Sequence, residues 1–156
     1  FISHATEADR VSEDDFFRVG THGGTLISSC LDLELDIVEK EFHPNSSNIY
    51  SFYCGDGENW SSDNEKSLDL FKQIKEISQL TAYCEINEHY GNFAEDEDSM
   101  SPTGLPWPSF SAWKNEELEN LWSKLTPVCD AKFKKVMIGQ TEHIWKSFNK
   151  LFGGGK

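Results

Sequence analysis

Asn48-Ile49-Tyr50-Ser51-Phe52-Tyr53-Cys54, followed at once by Gly55-Asp56-Gly57-Glu58-Asn59, is the stretch that decides the fold. Ile49, Tyr50, Phe52 and Tyr53 are β-branched or aromatic, the residue types that suit a pleated and packed strand. The glycines around Asp56 then turn the chain sharply. On the upstream side, Leu26, Cys30, Leu33 and Ile37 recur at helical spacing, flanked by Leu31, Leu35 and Val38. They predict a helix over about 26–41, with Thr25 as N-cap and Pro44-Asn45 with the following serines as the stop. On the downstream side, Ser62 and Glu65 have capping-box spacing. Leu68, Phe71, Ile74 and Ile77 mark one face of a helix over about 64–78, and Leu80 to Ile86 is an apolar strand. Phe1-Ile2-Ser3-His4 also reads as a strand, so the order is strand, helix, strand, helix, strand. Apolar strands separated by amphipathic helices imply a parallel sheet covered on both faces, a doubly wound α/β fold.

The flanks are less regular. Ser12 and Asp15 suggest a capped helical turn to about Arg18. Residues 88–113 contain Pro102, Pro106 and Pro108 and read as a long irregular segment, with Trp107, Phe110 and Trp113 as packing points. Lys114 to Leu125 reads as helix and Phe133 to Ile138 as an edge strand. Thr141 caps a last helix on which Ile144, Phe148, Leu151 and Phe152 share a face. Residues 1–152 form one domain, and 153–156 are a flexible glycine tail.

Composition narrows the class. Five Trp and eleven Phe exceed what a disordered chain would carry. No run approaches the roughly 18 apolar residues of a membrane span. A net charge of −13 repels phosphate backbones, which argues against nucleic acid as a partner and suits a cation or a basic protein surface. The run Glu95-Asp96-Glu97-Asp98 reads as a solvated loop. Cys30, Cys54, Cys84 and Cys129 form no C-x-x-C pair. With no secretion signal at the start, they read as reduced thiols of a cytoplasmic protein.

In a parallel sheet, functional groups gather beyond the carboxyl ends of the strands. Asp56, bracketed by glycines past a strand end, and Thr25, a hydroxyl at a helix start, make a hard-oxygen pair suited to Mg²⁺ or a similar ion. The same residues have a plainer reading: Asp-Gly is a common turn, and Thr25 is a helix cap. His4 and Glu7 form a candidate acid–base or ligand pair, against the alternative of a hydrogen-bonded structural histidine. His22 and His89 read as loop surface groups. No Gly-x-Ser-x-Gly, Walker A or dinucleotide fingerprint occurs.

Several blocks together resemble the bacterial YeaH/YhbH family: Phe1 to Ala8, Gly23-Gly24-Thr25 with Ser28-Ser29, Asn48-Ile49-Tyr50, and Asp56-Gly57-Glu58-Asn59-Trp60 with Asp63-Asn64. Tyr83-Cys84-Glu85-Ile86 and the Ile144 to Phe152 ending extend the likeness over most of the chain. The resemblance implies a von Willebrand factor A-like (Rossmann-like) domain with a metal-ion-dependent adhesion site. In such a site Thr25 matches the glycine-loop threonine and Asp56 the later aspartate, with His4, Glu7, Ser28, Glu58, Asn59 and Asp63 around the rim. The Asp-x-Ser-x-Ser element is not in this stretch, and by the same analogy it lies upstream on a central strand. Gly55 stands where Ser or Thr is usual, and His22 where the family has a small polar residue.

The resemblance further implies Mg²⁺ or Mn²⁺ as the ion. It implies a PrkA-type serine protein kinase or SpoVR-like protein as partner, and a role in bacterial stress response or sporulation. Three functions follow for comparison: a metal-assisted protein-interaction module, a metal-independent adaptor for the kinase, and a metal-dependent hydrolase using His4, Glu7 and Asp56. The first two are not enzymes.

Overall fold

A computed structural model describes residues 1–20, 24–86 and 121–153. The long segment with Trp107, Phe110 and Trp113, the first part of the 114–125 helix, His22, His89 and residues 154–156 lie outside the described residues. The chain is mixed α/β, with a three-stranded parallel sheet flanked by helices, an arrangement compatible with a Rossmann-like fold. Strands β3 (Tyr50–Gly55), β4 (Leu80–Ile86) and β5 (Phe133–Ile138) lie in the order β3-β4-β5. The register aligns Cys54 with Cys84 and Cys84 with Val136. Strand β4 is central, and its residues 80–85 are all buried, which is why that stretch is nearly continuous in apolar character.

Helices α2 (Ile27–Glu41), α3 (Asn64–Ile77) and α4 (Leu121–Leu125) cover one face. There Ile27, Leu31, Phe71, Ile74, Leu121 and Leu125 pack on Tyr53, Tyr83 and Phe133. Tyr53 stacks on Tyr83 at a centroid distance of 5.3 Å, and Phe71 meets both edge-on. Helix α5 (Thr141–Phe152) covers the opposite face, where Leu151 joins Leu80, Ala82, Cys84 and Val136. The expectation of helices on both faces therefore holds for this sheet.

Three expectations are corrected. Ile2–His4 (β1) does not belong to the parallel sheet. It pairs antiparallel with Ala8–Arg10 (β2), a strand the sequence reading did not assign. The intervening Ala5-Thr6-Glu7 closes a tight turn, with the Ala5 N–H donating to the Glu7 carbonyl at 2.9 Å. Secondly, only Ser12 caps as foreseen, accepting from the Asp15 N–H at the start of α1 (Glu13–Arg18). The N-cap of α2 is Leu26, not Thr25. A 3₁₀ turn at Ser61–Asp63 leads into α3 in place of the Ser62 capping box, and Gln140, not Thr141, occupies the N-cap of α5. Thirdly, of the α5 stripe only Leu151 is buried; Ile144, Phe148 and Phe152 stay about half exposed. Their side of the sheet ends at β3, where Phe152 meets the equally exposed Phe52 at 5.8 Å.

Strand β3 pairs only with β4 and β1 only with β2 among the described residues, leaving one open edge on each. A groove of about 730 Å³ lies between them. It is lined by consecutive residues 1–5 and 50–56. A groove on a sheet face would be lined by every second residue; consecutive lining marks strand edges.

Candidate functional site

The entrance to α2 explains where the site residues stand. The first N–H groups of a helix need partners from outside it. Here those partners come from the loop after β3. Asn59 Oδ1 accepts from the Ile27 N–H at 3.0 Å, and Asp63 Oδ2 accepts from the Ser28 N–H at 3.0 Å. Asn59 is fully buried and also donates to Asn64 Oδ1 at 3.0 Å; the Ser67 hydroxyl donates to Asp63 Oδ2 at 2.7 Å. Burial alone would raise the Asp63 pKa. Hydrogen bonds from Ser28, Ser67 and Asn59 outweigh it and hold the carboxyl below its usual range. Ser28, Asn59 and Asp63, expected on the rim, are thus a buried brace that caps α2 from a distance.

That brace draws two loops together. The Trp60 N–H donates to the Thr25 carbonyl at 3.4 Å, and the Leu26 N–H donates to the Ala5 carbonyl at 2.9 Å. A Cβ on Gly24 would stand 2.9 Å from Trp60 Nε1, so glycine admits this close approach. Thr25 and Asp56 consequently line the same groove, as do His4 and Gly55. Asp56 Oδ1 accepts from the Glu58 N–H at 3.0 Å, the expected turn, completed by Gly57 at a positive φ of 85°. A Cβ on Gly55 would fall 2.6 Å from the Tyr53 hydroxyl, which gives a local reason for glycine at that position.

His4 contacts the Tyr53 ring at 5.5 Å. Burial lowers its pKa, opposed by a hydrogen bond at Ala5 and by the nearby Asp56 charge. Among the described residues, its Nδ1 is buried with no hydrogen-bond partner. Glu7 is exposed and lines a separate cleft with Asp9 and Asp15, so His4 and Glu7 border different depressions. Glu58 is half-buried and is placed in the turn by its backbone. One group that the sequence reading missed, Glu34, belongs to the same region. Glu34 lines the groove; burial raises its pKa, opposed by a hydrogen bond with Ser51. Its signal was a carboxylate on the buried stripe of α2, four residues after Cys30 and three after Leu31. Glu85 is buried at the end of β4, in register with Gly55.

A metal fit is testable on the donor types. Thr25 supplies a hydroxyl and Asp56 a carboxylate, both hard oxygens, and remote capping of α2 by Asn59 and Asp63 leaves Thr25 outside that role. Among the described residues, no three His, Cys, Asp or Glu converge, so the pair fits as part of a site whose other positions go to water or to oxygens from outside these residues. Magnesium ordinarily keeps several waters.

Residues 1–154 match the family profile described as "Protein of unknown function (DUF444)". The chain belongs to this family. DUF444 relatives include a UPF0229 protein of Bacillus velezensis, 42% identical over 152 residues, covering 97% of this chain and 32% of that protein. A UPF0229 protein of Ruminiclostridium cellulolyticum is 34% identical over 151 residues, covering 97% and 32%. One from Clostridium perfringens is 43% identical over 86 residues, covering 55% and 22%. The YeaH/YhbH resemblance is consistent with this membership. The chain spans between about a fifth and a third of the length of these relatives. No solved structure matches it. Among the described residues, no helix is long and apolar enough to cross a membrane.

Proposed function

We propose that this chain is part of a von Willebrand factor A-like protein-interaction module in which Thr25 and Asp56 help hold a divalent cation, Mg²⁺ or Mn²⁺. The observation that carries the reading is that these two residues, 31 positions apart, line one groove, with Asp56 immediately past the carboxyl end of β3. The strand-edged groove supports it. A further strand between β1 and β3 would pair both open edges, cover the exposed Tyr50, Phe52 and Phe152, and bring an Asp-x-Ser-x-Ser loop toward Thr25 and Asp56. The DUF444 relatives are about three times as long as this chain and have polypeptide from which such a strand can come.

In this reading the ion offers an open coordination position to a carboxylate of a partner protein. The family resemblance nominates a PrkA-type serine protein kinase or a SpoVR-like protein, in a stress-response or sporulation system of the bacterial cytoplasm. Glu34 and His4 line the groove, and the Asn59–Asp63 brace fixes the spacing of the two ligands. The metal-independent adaptor is the same module acting without the ion. The hydrolase has less support, because His4 and Glu7 border different clefts.

Calorimetric titration of the chain with Mn²⁺ tests the reading. Asp56→Ala and Thr25→Ala are each expected to weaken binding by about tenfold or more, equivalent to ~1.4 kcal/mol. Unchanged affinity in both variants would remove the cation from the function and leave the metal-independent adaptor.

A further inference from the structure

Cys54 and Cys84 are register partners on adjacent parallel strands. Neighbouring strands lie about 4.8 Å apart, inside the roughly 4.4–6.8 Å Cα separation that a disulfide spans. Residues directly opposite each other in a sheet project to the same side, here the side covered by α5, where Cys84 packs with Leu80, Ala82 and Val136. The two differ in access: Cys54 is exposed and borders the groove, whereas Cys84 is 5% exposed. Cys30 and Cys129 belong to the cluster on the opposite face with α2 and α4. An accessible sulfur with a sheltered thiol as its immediate neighbour is the arrangement of an oxidant-reactive cysteine with its resolving partner.

We propose that Cys54 and Cys84 form a peroxide-reactive dithiol site that closes to a disulfide between β3 and β4. A hydroperoxide from solvent meets the exposed Cys54. The sulfur takes the terminal peroxide oxygen as the O–O bond breaks, giving Cys54 sulfenic acid and releasing the alcohol, or water from hydrogen peroxide. The Cys84 sulfur then attacks the Cys54 sulfur. The S–S bond forms, the S–O bond breaks, and the hydroxyl leaves as water with the Cys84 proton. Two thiols are oxidised by two electrons in total and one peroxide is reduced. The bond would clip the two strands together one residue before the Gly55-Asp56 turn. It does not depend on a cation at Thr25 and Asp56.

Hydrogen peroxide is the probe, added to the reduced chain, followed by alkylation, tryptic digestion and mass spectrometry. The expected result is joint loss of Cys54 and Cys84 from the alkylated pool and a cross-linked peptide joining residues 41–66 to the peptide that contains Cys84, reversed by dithiothreitol. Cys30 and Cys129 stay alkylatable after unfolding. Cys84→Ala is expected to leave Cys54 as a sulfenic acid that dimedone traps, a product absent from the parent chain. Cys54→Ser, a change at an exposed position that keeps the fold testable by circular dichroism, is expected to leave Cys84 reduced. Overturning results are Cys54 oxidised to sulfinic acid with Cys84 still reduced, a Cys54–Cys54 link between chains as the main product, or Cys84 oxidised as readily in Cys54→Ser as in the parent.

Discussion

At Asn59 and Asp63, two side chains from the loop after β3 perform the task that Thr25 was expected to perform. Asn59→Ala leaves the Ile27 N–H without its buried acceptor, a loss of roughly 1–3 kcal/mol. Urea unfolding should show a lower midpoint with an unchanged slope; an unchanged midpoint would mean that water replaces Asn59 at no cost. Asp63 adds a pH signature. Its folded pKa lies below the unfolded value of 3.8, so its stabilisation is fully present above about pH 4 and is lost as the pH falls through the folded value. Asp63→Asn should flatten that part of the acid-unfolding profile and leave stability between pH 5 and 7 without slope from this group. Both roles were hidden in the sequence for one physical reason. A cap supplied from 32 or 35 residues away has no local spacing pattern, whereas the Ser12–Asp15 cap is local and was readable.

Among the elements, β3 is the one whose details matter most. Its apolar pattern was legible, as were β4, β5, α2, α3 and α5, because each has a clean period and clear breakers. The β2 strand was not legible: Ala8-Asp9-Arg10 has no apolar signature, and it is a strand only through its pairing with β1. Nor did the α5 pattern show which of its apolar residues would find cover, since that depends on what lies beside β3. Gly55 gives a test within the strand itself. Gly55→Ala forces a Cβ against the Tyr53 hydroxyl while the Tyr53 ring is held by its stack on Tyr83. The expected loss is about 1–3 kcal/mol, and it should be partly relieved in a double-mutant cycle by Tyr53→Phe, which removes the hydroxyl and leaves two ring carbons at 3.0 Å. Additive effects of the two changes would show that the contact is not the cause.

Over the whole molecule, a parallel sheet and a separate hairpin face each other across a strand-edged groove. Hydrogen exchange should reflect it. Amides of β4, paired on both sides, are expected to be the slowest, while alternate amides of β3 that point toward β1 exchange faster. Uniform protection along β3 would mean that its outer edge is already paired. The α/β class and the residues flanking the groove followed from periodicity and from the position of strand ends. The convergence of Thr25 with Asp56 on a cation is proposed from a helix start, a strand end and the family resemblance; that both line one groove is tertiary packing that no spacing encodes.

That convergence is the central claim, and Mn²⁺ relaxation in amide NMR spectra tests it most directly. At substoichiometric Mn²⁺, cross-peaks of Thr25 and of residues 55–57 should broaden first and together, while those of β5 and α5 persist. Broadening spread over the exposed carboxylates of α1 and α2, or broadening at Asp56 that spares Thr25, would contradict a shared cation site.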